Sequence, residues 1–232
     1  MSLPKLETPT FELNLPSTNK KVRYRPFLVK EYKILLTAIE SSTDEIIRVL
    51  YELIDACTFN KLNMDKLSHF DIEYLFLQIR AKSISEIASI TVNCDCGVKI
   101  PYELDITKAE IVRSGNEKDN KILIDDTVGV EMRYPKFNEV LDIYENLRND
   151  KAIDLIKDCI DAVFTPDSYQ DRTSFTQEEL DEFVGSFSKQ QFDKLEQFFI
   201  NMPKVVQHIE TDCPECGALN KVDLEGIQNF FV

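Results

Sequence analysis

The sequence predicts an α+β fold made of two related halves, each with small antiparallel strands and a cluster of helices. Segments in which apolar and polar residues alternate are interleaved with segments in which apolar residues recur every three to four positions, as expected for strands and helices respectively. Short peptides of the first half recur in the same order in the second half. Each half also contains a closely spaced pair of cysteines between two extended segments.

The first half, residues 1–110, is expected to begin with a hairpin, continue through three helices and end in a second hairpin. Its predicted strands are 9–15, 21–27, 87–93 and 98–104, and its predicted helices are 28–40, 44–57 and 68–81. Pro16 and Ser17 supply the first turn. The second hairpin carries Cys94 and Cys96 between its strands.

The second half, residues 111–232, is expected to repeat this plan with one additional helix. Its predicted strands are 121–124, 129–134, 205–210 and 220–224, and its predicted helices are 137–147, 151–163, 177–187 and 189–201. Cys213 and Cys216 lie between the last two strands. The two halves are expected to form one compact unit that a metal ion holds together.

Local matches between the halves indicate an internal duplication. Arg23-Tyr24-Arg25-Pro26-Phe27 aligns with Arg133-Tyr134-Pro135-Lys136-Phe137, and Ile54-Asp55-Ala56 aligns with Ile160-Asp161-Ala162. The offset varies between about 106 and about 120 residues, which loop insertions and deletions would produce. The alternative is that such short matches arise by chance in any α+β protein of this size.

Composition and charge restrict the classes of function. The chain has 232 residues, of which 43% are hydrophobic, so it is long enough to bury a core. Its net charge of −14 disfavours binding to nucleic acid, because phosphates are neutralised by basic surfaces. No apolar run reaches the roughly 20 residues that span a bilayer, and the start lacks a signal-like apolar segment. We therefore expect a cytoplasmic protein with protein partners, and neither a membrane nor a nucleic acid as partner.

The two cysteine pairs predict a structural zinc site with Cys94, Cys96, Cys213 and Cys216 as ligands. Both pairs are followed by a glycine, Gly97 or Gly217, which suits a zinc knuckle whose backbone N–H groups point at the sulfurs. Four thiolates would fill a tetrahedral zinc ion and leave no position for water or substrate. The first pair has one intervening residue instead of the usual two, so its turn must be tighter. Each half would then supply half of a zinc-ribbon-like Cys₄ site.

Several alternatives to zinc remain open at the level of the sequence. The four cysteines could be reduced thiols, could form disulfides, or Cys213 and Cys216 could be a thioredoxin-like redox pair, which would lie at the start of a helix. His208 could replace one cysteine ligand, although a surface or core histidine is the simpler interpretation. Cys57 and Cys159 lie in apolar helical stretches and are expected in the core.

Residue patterns typical of catalysis are missing from the sequence. It contains no nucleophile elbow, phosphate-binding loop or dinucleotide fingerprint, and only two histidines. The acidic pairs Asp125-Asp126 and Glu178-Glu179 are placed at an expected turn and an expected helix start, where such residues are routine. We therefore expect an interaction protein without a small-molecule substrate. The rival hypotheses are a thiol oxidoreductase that uses Cys213 and Cys216, and a zinc-ribbon adaptor for nucleic acid.

The beginning of the chain resembles a known family. The segments that carry the resemblance are LPKLETPTFELNLPST and KVRYRPFLVKEYKILLTAIES, and within them residues 25–31 are the most specific part. They closely resemble the opening of the baseplate hub subunits and hub assembly proteins of T4-like bacteriophages, and the likeness continues through both cysteine pairs. The resemblance implies a non-catalytic role in building the hub of a contractile tail, through contacts with other tail proteins. It leaves open whether the protein is a hub subunit of the virion or an assembly chaperone in the host cytoplasm.

Two local expectations concern the start of the first helix and the end of the chain. We expect Arg25 and Phe27 to fix the first hairpin to the helix, with Lys30 and Glu31 facing solvent. The C-terminal segment 227–232, which ends in three consecutive apolar residues, either packs on the zinc hairpin or serves as a docking peptide.

Overall fold

The computed structural model describes residues 6–39, 43–113, 120–140 and 149–226. The chain forms two compact units, of which unit 1 comprises residues 1–112 with 204–232 and unit 2 comprises residues 113–203. The division differs from the two halves expected from the sequence, because the segment with the second cysteine pair groups with the first half of the chain. The C-terminal peptide 227–232 lies outside the described residues.

The described elements follow the predicted order with a few differences. The strands are β1 (Phe11–Asn14), β2 (Lys21–Tyr24), β3 (Ile87–Asn93), β4 (Lys99–Asp105), β5 (Glu110–Val112), β6 (Lys121–Leu123), β7 (Gly129–Met132), β8 (Ile160–Phe164), β9 (Tyr169–Asp171), β10 (Lys204–Asp212) and β11 (Leu219–Glu225). The helices are α1 (Val29–Ile39), α2 (Thr43–Cys57), α3 (His69–Ser83), α4 (Asn149–Asp158), α5 (Gln177–Gly185) and α6 (Lys189–Ile200). Residues 137–140 are also helical, and the rest of the predicted helix 137–147 lies outside the described residues.

Unit 1 combines three antiparallel sheets with three helices. β1 pairs with β2, β3 pairs with β4, and β10 lies between β11 and β5. Helix α3 packs against both α2 and β10. The core includes fully buried side chains on α2 and α3, among them Leu50, Ile54, Phe70, Phe76 and Ile79. Burial of such apolar surface is the main source of stability.

Unit 2 is a four-stranded antiparallel sheet with helices packed on it. The strand order is β6-β7-β8-β9, and each neighbouring pair is antiparallel. Its core cluster is formed by Ile124, Val130, Met132, Ile156, Cys159, Ile160, Leu180, Val184 and Leu195. Two capping boxes begin α5 and α6, where Thr176 pairs with Glu179 and Ser188 pairs with Gln191. Each box satisfies N–H groups that the first helical turn leaves without partners.

The predicted helix 151–163 is wrong in its last part. Helix α4 ends at Asp158, and Ile160–Phe164 is strand β8, which pairs with β7 on one side and β9 on the other. Ile160 and Ala162 are buried while Asp161 is exposed, so this run has the period of two of a strand. A short apolar run cannot be assigned to a helix or a strand by periodicity alone. Cys159 is buried as expected, but at the junction of α4 and β8.

An arginine–glutamate ion pair fixes the chain where β2 leads into α1. The guanidinium of Arg25 donates to both carboxylate oxygens of Glu31, with Nη1 to Oε2 3.0 Å and Nη2 to Oε1 2.8 Å. The N–H of Leu28 donates to Glu31 Oε2 at 2.5 Å, and the N–H of Arg25 donates to the Cys57 carbonyl at 3.0 Å. The expectation that Glu31 faces solvent is therefore wrong, since this residue is 7% exposed. Lys30 is exposed as expected.

Unit 2 contains the same arrangement after β7. Arg133 donates to both oxygens of Glu139, each at 2.9 Å, and the N–H of Lys136 donates to Glu139 Oε2 at 2.8 Å. The N–H of Arg133 donates to the Cys159 carbonyl at 2.8 Å. In both units the arginine and glutamate are six residues apart, and the carbonyl that accepts from the arginine N–H belongs to a buried cysteine.

Among the described residues, no helix combines the length and the apolar character needed to cross a membrane.

Candidate metal centre

The β3–β4 hairpin positions the first cysteine pair. Its register pairs Asn93 with Lys99, so Cys94 and Cys96 lie in the turn. The Cys94 N–H donates to the Val98 carbonyl at 2.9 Å, and the Gly97 N–H donates to the Cys94 carbonyl at 2.8 Å. These two hydrogen bonds close a tight turn that contains both Cys94 and Cys96.

The β10–β11 hairpin positions the second pair in the same way. The Cys213 N–H donates to the Ala218 carbonyl at 2.9 Å, and the Gly217 N–H donates to the Cys213 carbonyl at 3.0 Å. This turn is one residue longer than the first, and the extra residue is absorbed between the two cysteines. The shorter spacing of Cys94 and Cys96 therefore forms a turn with the same pattern of closing hydrogen bonds.

The glycine after each cysteine pair has a left-handed backbone. Gly97 has φ of +91° and Gly217 has φ of +71°, a region that L-amino acids with a Cβ rarely adopt. A Cβ added at either glycine would meet no atom within 4 Å. The backbone angle, and not a lack of space, is thus the reason for glycine at both positions.

The two hairpins bring all four predicted cysteines together. The Sγ atoms of Cys94 and Cys216 are 3.7 Å apart, those of Cys96 and Cys213 are 3.6 Å apart, and all four lie within 4.8 Å of one another. Sulfurs bound at about 2.3 Å around a tetrahedral zinc ion would be about 3.8 Å apart. Cys94 and Cys213 are buried while Cys96 and Cys216 are exposed. The arrangement could hold one metal ion.

The electrostatics of the turns favour a thiolate most strongly at Cys213. Hydrogen bonds from the backbone N–H groups of Cys216 and Glu215 lower the pKa of the Cys213 thiol to about 7. At Cys96 the Val98 N–H lowers the pKa, but hydrogen bonds with the other three thiols outweigh it and raise the pKa to about 12. The sequence predicted N–H groups at the sulfurs without naming the donors, which follow from the turn geometry.

Other candidate residues lie apart from this cluster. His208 does not belong to the group of four, and its Nδ1 lies 2.6 Å from Asp223 Oδ1 across the β10–β11 pair. Cys57 and Cys159 are buried in the cores, and burial raises the pKa of each thiol to about 12. Residues after Cys216 continue into strand β11, so this pair does not precede a helix.

Both cysteine pairs belong to unit 1. The strands that carry them, β3, β4, β10 and β11, are all strands of that unit, and β10 also pairs with β5. A metal ion bound by the four thiolates would therefore connect two hairpins within one unit. It would also link residues about 120 positions apart in the sequence.

Comparisons with known proteins place the whole chain in one family. The family model described as T4 bacteriophage base plate protein matches residues 8–232. The baseplate hub assembly protein gp26 of Enterobacteria phage T4 is 24% identical over 215 residues, which cover 92% of this chain and 93% of the relative. No solved structure matches significantly. Because the family model covers nearly every residue, the chain belongs to the T4 bacteriophage base plate protein family.

Proposed function

We propose that the protein helps to build the hub at the centre of a contractile phage tail's baseplate, by contacts with other tail proteins and without catalysis. The observation that carries the proposal is the match of nearly full length to a relative named as a baseplate hub assembly protein. Coverage of more than nine tenths of both chains supports transfer of the role of the whole protein, and not only of a shared domain. The proposed site of action is the host cytoplasm during assembly.

Within this role we propose that the four cysteines bind one structural Zn²⁺ ion. Thiolates are soft ligands that select zinc among the abundant divalent ions, and the distances between the sulfurs suit a tetrahedral ion. Four protein ligands leave no open coordination position, which favours a structural site over a catalytic one. Binding of structural zinc is worth on the order of 10–16 kcal/mol in small zinc domains. The metal would thus contribute much of the stability of unit 1.

The rival functions have less support. A thioredoxin-like pair gains its reactivity from the N-terminus of a helix, whereas strand β11 follows Cys216. An adaptor for nucleic acid would need a basic surface, which a net charge of −14 disfavours. An insulin-reduction activity that disappears in Cys213→Ser would favour the first rival, and salt-sensitive retention on DNA would favour the second.

We also propose that the two halves of the chain, residues 1–110 and 111–232, descend from an internal duplication. The support is the repeated arginine–glutamate arrangement, because Arg25 with Glu31 and Arg133 with Glu139 share their spacing and the backbone groups that they bind. In each case a short antiparallel hairpin precedes the arginine. The two cysteine hairpins share their turn geometry in the same way. Such detailed agreement of hydrogen bonds goes beyond chance matches of short peptides.

The function can be tested with a phage that lacks the gene for this protein. We expect infected cells to accumulate incomplete baseplates without hubs, and a plasmid copy of the gene to restore complete hubs, as seen by electron microscopy of purified tails. Normal hubs in the absence of the protein would refute the proposal. Quantitative mass spectrometry of purified virions then distinguishes a retained subunit from a chaperone that leaves.

The metal can be tested by elemental analysis of protein purified without a metal-affinity column. We expect about one zinc per chain, lost in Cys216→Ser, and retained in the control Cys159→Ala, which removes a thiol outside the cluster. A zinc content near zero, with four titratable thiols in the folded protein, would refute the zinc site and show that the four cysteines are reduced thiols.

A further inference from the structure

Helix α1 presents an apolar face to solvent. Val29 is 71% exposed, Tyr32 is 36% exposed and Leu36 is 48% exposed, and their spacing of three and four residues places them on one side of the helix. Leu28, just before the helix, is 39% exposed. We call these four residues the α1 face. The opposite side of the helix holds the buried residues Glu31, Leu35 and Ala38.

The corresponding positions in unit 2 are buried. The N–H of Leu28 donates to Glu31 as the N–H of Lys136 donates to Glu139. These hydrogen bonds align Val29 with Phe137 and Tyr32 with Val140, which shifts by two residues the match of short peptides that sets Phe27 against Phe137. Phe137 is 1% exposed and Val140 is 8% exposed. At these two positions the described part of the second copy, residues 137–140, is therefore covered by its own chain, whereas Val29 and Tyr32 of α1 are open to solvent.

The exposed charges on helix α1 itself are positive. Among the described residues of α1, the exposed charged side chains are Lys30 and Lys33. Lys33 has no ion pair with any residue that the structure describes, and Lys30 approaches only the carboxylate of Glu31, at 3.9 Å, which is already held by Arg25. This local positive charge stands out in a chain with a net charge of −14. It favours a partner that carries carboxylates.

A second copy of the chain is a poorer occupant. A two-fold symmetric contact brings the same patch of both subunits together, so Lys30 and Lys33 of both copies would lie in one interface. Like charges in an interface are unfavourable. A different protein that carries acidic side chains is therefore a better partner for the α1 face.

We infer that the α1 face is a docking surface for an amphipathic segment of another baseplate protein, with apolar side chains on one side and acidic side chains at its margin. The inference rests on the proposed function for the choice of partner class. The apolar contacts provide binding free energy by removing surface from water. The lysines select among partners by charge.

Site-specific photo-crosslinking in infected cells tests this inference. A photoreactive amino acid is introduced at Val29 and, as the control, at Ile200, an exposed apolar position at the end of α6. Mass spectrometry should identify, for position 29, a peptide of a baseplate protein that is apolar with flanking Asp or Glu, and no such peptide for position 200. Crosslinks from position 29 to another copy, to residues 227–232 of the same chain, to a basic segment, or to no protein would overturn the inference.

Substitutions on the same surface provide a second readout. We expect Leu36→Asp to reduce the crosslink about tenfold and Lys33→Glu to reduce it about twofold to fivefold, while Ile200→Asp leaves it unchanged. All three positions are exposed, so thermal melting should show folded protein in each case. Equal yields in all variants would overturn the inference. A crosslink from position 29 to an apolar, acidic segment of a protein outside the baseplate would refute the proposed function but keep the docking surface.

Discussion

The segment that contains the ion pair of Arg25 and Glu31 joins the start of α1 to the end of α2 in unit 1. The Glu31 carboxylate accepts the Leu28 N–H at the start of α1, and the backbone of Arg25 bonds to the end of α2 at Cys57. We expect Glu31→Ala to lower the free energy of unfolding by about 3 kcal/mol, because it leaves a partly buried guanidinium without its carboxylate partner. Lys30→Ala is the matched control and should change it by less than about 0.5 kcal/mol. Urea denaturation measures the free energy of unfolding of both variants. Equal losses in Glu31→Ala and Lys30→Ala would contradict a stabilising role of the ion pair.

The same pair predicts how stability depends on pH. Burial alone would raise the pKa of Glu31, but the hydrogen bonds from Arg25 and the Leu28 N–H, with the charge of Arg25, outweigh it and lower the pKa below its ordinary value of 4.5. The ionised carboxylate therefore stabilises the fold above about pH 4.5, and this contribution is lost as the pH falls through the lowered pKa. We expect the difference in unfolding free energy between the wild type and Glu31→Gln to be constant near neutral pH and to shrink below about pH 4.5. A difference that grows in acid would contradict this origin.

Among the elements, the two cysteine turns depend on their glycines. Gly217→Ala should destabilise the protein by about 1 kcal/mol, because alanine must adopt a positive φ at this position. Gly185 at the end of α5 is the matched control, since it lacks a positive φ and an added Cβ would also meet open space. Gly185→Ala should be neutral or stabilising by up to about 1 kcal/mol. Thermal melting measures the stability of the two variants. A larger loss of stability in Gly185→Ala than in Gly217→Ala would contradict a requirement for glycine in the cysteine turn.

Elements with a clear period were predictable, and those defined by pairing were not. The helices around Leu50 and Phe76 and the hairpins around the cysteines follow from local spacing. Strand β8 was assigned to a helix because Ile160 to Phe164 is a short apolar run whose state is decided by pairing with β7 and β9. The strands β5 and β9, which have three residues each, were not predicted because so short a run shows no clear alternation. The expectation that Glu31 faces solvent is wrong because it follows the usual behaviour of a glutamate at the start of a helix. The burial of Glu31 comes from its ion pair with Arg25, which local spacing does not reveal.

On the scale of the whole molecule, the grouping of the four cysteines was more predictable than the division of the chain. The form of each cysteine pair with its glycine is local, so the amino-acid sequence alone groups Cys94, Cys96, Cys213 and Cys216. Assignment of residues 204–232 to unit 1 depends on the pairing of β10 with β5, a contact between distant segments. The α1 face was likewise not predicted, because its apolar residues have the spacing expected of a core stripe.

The division into units determines what removal of the metal should do. Since all four cysteines lie in unit 1, chelation of the proposed zinc should open the β3–β4 and β10–β11 hairpins and leave the sheet of unit 2 protected. Hydrogen exchange with and without a chelator measures this, and we expect amides in β3, β4, β10 and β11 to lose protection at least about tenfold more than those in β7 and β8. Cys216→Ser with and without chelator is the control, because the proposed zinc is already lost in this variant and the chelator should cause no further loss of protection. Equal loss of protection in both units would instead indicate that the metal holds the entire chain together, as the pattern of two cysteine-bearing halves predicts.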